Sequence, residues 1–595
     1  MTVLLDIRLP RTLDAWVDEL IARPPTGAMV EAWLFEDRAA REAAEARLAT
    51  AGVQARLFSA YKPLVHHFLE AVDCEGLAHV AVRYPLHAHA TPRRFALEAY
   101  PLAGMLAGVD FELLPQAAPT ARPVYEVELA WRDGRRRSDA VFAPNHVHTD
   151  ALGDTLLSPT AWRRVRRGGL VLEDAAHESD YQQLFRRAID CVTRHPWPTT
   201  EPYFERLDLR VNLPGIAYAP PEETGWIDTG EALHEDLYFA LLEIFQRRSG
   251  RPAGDRRLQP GQIVPDVRHS TGDVRLRVST APYPELTAPW MPPRAEAMAC
   301  DVEATGTELA RATAPLTFAQ IDQAFARIAG TTFEATSRQG RPVRGIYRAG
   351  AGAAVLISGG QHANETSGIV GALRAAQVLA DRADAHFALI PLENPDGYAL
   401  HRALCAQAPR HMHHAARYTA LGDDLEYRET APFYEREARQ QALAISGADL
   451  HINLHGYPAH EWTRPLSGYI PRGFDMWTMP KGFFLIVRYH AGWGDRARLL
   501  ATQVCRHLAT LPALMAFNEK QRASYNAHAG ELPFEVIHGT ACMISEVNRP
   551  GAALTLITEF PDETIYGDPF ILAHDTQTAT VLAAVDAMGL ISPSQ

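Results

Sequence analysis

One segment constrains the fold of this chain more than any other. Ala353–Ser358 is a short apolar run without charge, the pattern of a buried strand. It leads into Gly359-Gly360-Gln361-His362-Ala363-Asn364-Glu365-Thr366-Ser367-Gly368, and a helical stretch follows from about Ile369. The glycines let the chain turn sharply at the strand end. A buried strand passing directly into a helix is the unit from which α/β sheets are built. His362 and Glu365 lie three residues apart on this turn, close enough for both side chains to reach one point. Imidazole nitrogen and carboxylate oxygen are good zinc ligands.

A third ligand is expected from another strand end. Ala448-Asp-Leu-His-Ile-Asn-Leu-His-Gly-Tyr457 offers His451 and His455. The apolar run stops at His455-Gly456, which places His455 at the sheet edge, where open α/β sheets carry their sites; His451 is the alternative. No H-E-x-x-H occurs, so a ligand pair carried on one helix in that motif is excluded. Ala553-Leu-Thr-Leu-Ile-Thr-Glu559 is a further strand-like run that ends in a carboxylate, and Tyr566-Gly567 and a terminal helical stretch follow it. Phe387–Leu392 runs into Asn394-Pro395-Asp396-Gly397-Tyr398, a turn sequence on general grounds.

In this order, the pieces resemble the M14 metallocarboxypeptidases over about residues 315–592. The resemblance implies a mixed-sheet α/β/α domain holding one Zn2+ through His362, Glu365 and His455, and hydrolysis of an amide or peptide bond. It implies that Glu559, in its Thr-Glu strand end, is the general base, with Glu546 as the competing carboxylate. It also implies an oxyanion-stabilising arginine about fifteen residues after the Asn-Pro-Asp-Gly turn. Arg410 fits best, with Arg402 and Arg417 also in range. The pattern departs at the terminal-carboxylate clamp. Where the family has Asp-x-Asn-Arg, this chain has Asp424-Leu425-Glu426-Tyr427, with Arg428 one residue late. Glu426 would repel a free carboxylate, and Arg428 would have to take over its fork-like recognition. Tyr525 stands in for a catalytic tyrosine that has no clear counterpart. An amidase or deacylase of a small N-acyl or blocked compound, desuccinylase-like, is therefore the alternative to a carboxypeptidase. A binding protein on a peptidase fold is the third reading.

The rest of the chain says less. A net charge of -13 gives no basic footprint for nucleic acid and no attraction to anionic lipid. Six scattered cysteines without a CxxC pair read as reduced thiols. The absence of a leader-like start or a long apolar run gives a cytoplasmic expectation. Residues 1–120 read as an α/β region and 121–300 as a β-rich, α+β region. Asp133-Gly134 marks a hairpin, Glu231–Arg248 a helix, and prolines between 281 and 315 a linker. This N-terminal half is expected to shape substrate access, to bind a partner, or to form a homo-oligomer. His411, His413 and His414 could form a second metal group or a polar loop. Asn145-His146-Val147-His148 lacks the repeated strand–helix units that a barrel site would need. The aromatic stretch from Tyr457 to Phe484 reads equally as a pocket wall or as core.

Overall fold

The computed structural model describes residues 1–220, 225–285 and 308–591. The middle of the expected proline-rich linker, 286–307, lies outside them.

Residues 331–563 build one nine-stranded mixed sheet. Its order is Thr331–Thr336, Pro342–Arg348, Phe387–Ile390, Val355–Gly359, Leu450–Pro458, Leu554–Glu563, Phe484–Tyr489, Thr540–Glu546 and Glu535–Ile537. The four strands from Phe387–Ile390 to Leu554–Glu563 are parallel to one another. Parallel strands need both faces covered, and their sequences are accordingly largely apolar. The helices Ser367–Ala380, Gly494–Leu508 and Asp568–Ile591 pack with the sheet in one large core that includes Val355, Ile357, Ile452, Leu454, Leu556 and Met588. Arg436–Ser446 packs on the first strands of the sheet. Thr317 and Gln320 form a reciprocal capping box at the start of this half.

The N-terminal half holds three four-stranded sheets. Each combines strands from before and after residue 120: Thr2–Leu9 pairs with Val274–Ala281, Met29–Leu34 with Ala161–Arg167, and Leu77–Leu86 with Val124–Trp131. The two N-terminal regions read from the sequence are thus interleaved. Pairing between strands so far apart leaves no local trace in the sequence. The expected hairpin forms between Val124–Trp131 and Arg136–Phe142. The expected helix runs Thr229–Ser249, capped by the Asp228 side chain and closed by Gly250 in the left-handed region. This helix is buried from Thr229 to Leu241, where it lies between the N-terminal sheets and the large-sheet half. Its Phe239 and Leu241 share a core with Met412, Trp462 and Leu466. No helix among the described residues is long and apolar enough to cross a membrane.

Candidate metal centre

The parallel register decides which side chains meet. Gly359 pairs with Leu454, and His455 pairs with Glu559 on the next strand. Paired residues on neighbouring strands lie about 4.8 Å apart and face the same side. The chain leaves Val355–Gly359 through Gly360, at φ +62°, where a Cβ would meet Leu392 at 2.7 Å. Only glycine accepts that combination cheaply, and it delivers His362 and Glu365 to the end of the His455 strand.

There the three side chains converge. His362 Nδ1 is 2.9 Å from Glu365 Oε1, His455 Nδ1 is 2.9 Å from Glu365 Oε2, and the two Nδ1 atoms are 3.0 Å apart. All three residues are buried, and one donor atom from each lies within 4.8 Å of the others. The set is two imidazole nitrogens and a carboxylate aimed at one point, which fits zinc with an open fourth position. His362 Nε2 faces Asp424 Oδ2 at 3.4 Å, the outer carboxylate that commonly fixes the tautomer of a ligating histidine. The backbone of His455 is held by Thr558 Oγ1 and by Gln577 Nε2. Gly456 N donates to Glu365 Oε2 at 3.0 Å. A Cβ at Gly456 would lie 1.9 Å from Asp562 Oδ1, so this close approach requires glycine. His451 sits further back along the strand, bonded to Ser358 Oγ at 2.8 Å.

The electrostatics are those of a buried, mixed-charge site. The Glu365 carboxyl lies well below its usual range: burial raises it, but His362 and Arg417 outweigh burial. Burial and the repulsion of Arg417 lower His362, but Glu365 and Asp424 overcome both, and the net direction is upward. Burial, then the charge of Glu365, pushes Glu559 well above the ordinary carboxylate range. Burial also drives Lys481 down to about 7, against the pull of Glu559. Its Nζ is surrounded by the rings of Tyr457 at 4.5 Å, Trp477 at 4.8 Å and Phe484 at 5.3 Å.

A cavity of about 170 Å³ opens beside the cluster, and His362, His455, Arg417, Asp424, Glu426 and Glu559 are among its lining residues. Arg417 donates to Glu365 Oε1 at 2.5 Å. Arg410, the arginine preferred from the sequence, is exposed and lies over the Trp226 ring, 5.0 Å from its centroid. The spacing alone could not separate the two, because the turn after residue 405 is irregular. Arg428 is not presented to the cavity. It is buried, with Nε 2.9 Å from Asp423, Nη1 2.5 Å from Glu435 and Nη2 2.8 Å from Thr419. Glu426 does reach the cavity, paired with Arg439 at 2.5 Å. Tyr525 is buried behind Lys481 with Leu97, Tyr100 and Met479. Glu546 lies exposed at the far end of its strand.

Two lining cations escaped the sequence reading. Arg256 comes from the N-terminal half, with Nη1 3.5 Å from Asp424 and its guanidinium 5.6 Å from the Tyr427 ring; nothing local marks it. Arg488 ends the apolar run Phe483–Val487, and a charge on a buried strand was a usable signal. The aromatic stretch does both jobs: Tyr457, Trp462, Phe474 and Trp477 line the cavity, while Tyr469 and Phe483 are core. Two of the clustered histidines meet acids of the capped helix, His411 with Asp228 at 3.2 Å and His414 with Glu235 at 2.7 Å, while His413 meets the Ala408 carbonyl.

No family model matches the sequence, and no curated protein matches it either. Among solved structures, the chain is similar to a metallo-carboxypeptidase from Burkholderia cenocepacia, at 13% identity, over 54% of this chain and 77% of that one, with a TM-score of 0.30. It is similar to thrombin activatable fibrinolysis inhibitor at 12% identity, over 49% of this chain and 77% of that one, with a TM-score of 0.29. A murein-tripeptide amidase from Escherichia coli O157 matches at 14% identity, over 44% of this chain and 94% of that one, with a TM-score of 0.21.

Proposed function

We propose that this protein is a zinc-dependent hydrolase of an amide or peptide bond. The observation that carries the reading is the convergence of His362, Glu365 and His455 at one point, with a buried carboxylate, Glu559, paired in register beside His455. What zinc supplies when bound there is Lewis acidity, which polarises a carbonyl and brings a water's pKa towards about 7. The protein's own groups do the rest. Glu559, paired in register with His455, accepts the proton of the attacking water and returns it to the leaving nitrogen. Arg417, which lines the cavity, stabilises the developing oxyanion. Asp424 orients His362, and the aromatic wall excludes bulk water from the reacting centre.

A second observation favours an amidase of a blocked or modified substrate over a plain C-terminal exopeptidase. Arg428, which would have to hold a terminal carboxylate, is already engaged by Asp423 and Glu435, and Glu426 faces the cavity instead.

The test is elemental analysis of the purified protein and of His362→Ala, with peptidase and N-acyl-amidase panels alongside. About one zinc per chain, lost in the variant together with amide hydrolysis, is the expected result. A wild type that binds no zinc on addition of the metal would overturn the reading.

A further inference from the structure

Next to the catalytic cavity lies a second one of about 160 Å³, and Glu426 and Arg488 line both. Its wall is strongly basic: Arg436, Arg439, Arg488 and Arg549 against the single carboxylate of Glu426. Two of these arginines are committed elsewhere. Arg439 is held by Glu393 and Glu426, and Arg436 donates to the carbonyls of Leu425 and Glu426. Of the other two, Arg549 has one long contact with a carboxylate and Arg488 has none among the described residues. Arg488 is half-buried, and its guanidinium makes no hydrogen bond or ion pair among the described residues. Arg549 lies over the Tyr427 ring at 4.6 Å, its Nη1 is buried without a hydrogen-bond partner, and the nearest carboxylate oxygen, on Glu426, is 4.0 Å away. The buried Arg549 N–H left unpaired is costly, and a pair of guanidinium forks suits an oxyanion.

The sheet register connects this pocket to the chemistry. Phe484 pairs with Glu559 and Arg488 with Thr555, four residues along the same two strands. The alternate positions between them, Ile486 and Ile557, line the cavity on the same face. Glu559 and Arg488 therefore stand at two ends of a short apolar floor, their backbones about 13 Å apart. An arginine side chain and an acidic arm of glutamate length can bridge that gap from opposite ends. Glu559 is the group that would protonate the leaving nitrogen, so the part of the substrate lying over this floor is its amine side.

We infer that Arg488 and Arg549 form an anion subsite that selects substrates whose leaving amine carries an acidic arm, such as a side-chain carboxylate. The inference rests on the hydrolase reading for the direction of the substrate, but the subsite can be probed without turnover. Glutarate is titrated calorimetrically into metal-free wild type, Arg488→Gln and Arg549→Gln. In parallel, the zinc-loaded proteins are assayed on the α-amides of benzoylglycyl-glutamate and benzoylglycyl-glutamine, which carry no free terminal carboxylate. The expected result is glutarate binding to wild type that weakens about tenfold to a hundredfold in each variant. A preference for glutamate over glutamine should fall by a similar factor. Arg549 is partly exposed, so its variant serves if Arg488→Gln fails to fold. Absence of glutarate binding, or binding that neither variant changes, overturns the inference. So does binding of inorganic phosphate that glutarate does not displace, which would mark a site for a free anion. Equal cleavage of the two substrates would sink the inference and leave the hydrolase intact; normal glutarate binding with no cleavage of these or of any peptidase or N-acyl-amidase panel substrate would sink the hydrolase reading alone.

Discussion

At the scale of single residues, Glu559 and Arg428 show how buried charges take opposite roles. Glu559 is buried, raised above the carboxylate range and opposite His455, and the proposed reaction gives it the role of proton carrier. Glu559→Gln keeps the shape and removes the proton acceptor. The zinc content should stay at the wild-type level while kcat falls about a hundredfold to ten-thousandfold. A variant that lost its zinc as well would make Glu559 a structural support of the metal instead. Arg428, read from the sequence as a substrate clamp, is the centre of a buried ion-pair group with Asp423 and Glu435. Removing it strands two carboxylates in the interior. Arg428→Ala should destabilise the fold by about 3–5 kcal/mol, read as a lowered denaturant midpoint, and Arg428→Lys should not restore it because an ammonium cannot replace the fork. Unchanged stability would mean that the guanidinium is not structural. The contrast explains what the sequence could tell. His362, Glu365 and His455 stand at strand ends marked by glycine and by the end of an apolar run, which are local signals. Whether an arginine faces a cavity or a buried acid depends on partners distant in sequence, and no spacing rule carries that.

At the scale of elements, the helix Thr229–Ser249 is the least ordinary piece. Amphipathic surface helices show one polar face, but this one buries Asp228, Glu231, Glu235 and Asp236 at or near its start. Three of these acids are met by histidines from the other half: Asp228 by His411, Glu231 by His460 and Glu235 by His414. The sequence makes the helix legible through its spacing and Gly250, but not this pairing. Burial lowers His411, but Asp228, Glu231 and Glu235 outweigh it, so the group is raised. Its contribution to stability is therefore fully present below the ordinary histidine pKa of about 6.5 and is lost as pH rises through the raised folded value. Asp228 has the opposite sign. Burial raises it, but His411 and His269 overcome burial and depress it, so its share is present above its unfolded pKa and lost on acidification. Thermal stability should therefore fall as pH rises above about 6.5, and His411→Gln should flatten that alkaline limb. A wild-type melting temperature that did not vary over this range would remove the pair from the account.

At the scale of the whole molecule, the two halves share one core and one site. Met412, Ala415, Trp462 and Leu466 pack with Leu233, Leu237 and Phe239. Tyr61 reaches Thr463 at 2.7 Å, and Arg464 pairs with Glu243 at 2.7 Å. The cavity beside the His362–Glu365–His455 cluster itself takes Phe239 and Arg256 from the N-terminal half. A fragment of residues 308–591 would expose this apolar face and leave Arg464 without Asp236 and Glu243, the acids that pair with it. Exposed patches of this kind drive association, and a buried charge stripped of its partner destabilises strongly. The fragment should elute as aggregate, bind a hydrophobic dye and regain a single melting transition only when residues 1–285 are co-expressed. A monodisperse fragment melting with the full chain would show instead that the large-sheet half is autonomous. Even then, loss of Arg256 and Phe239 should raise KM more than it lowers kcat, because both line the substrate cavity while the metal ligands and Glu559 all belong to the large-sheet half.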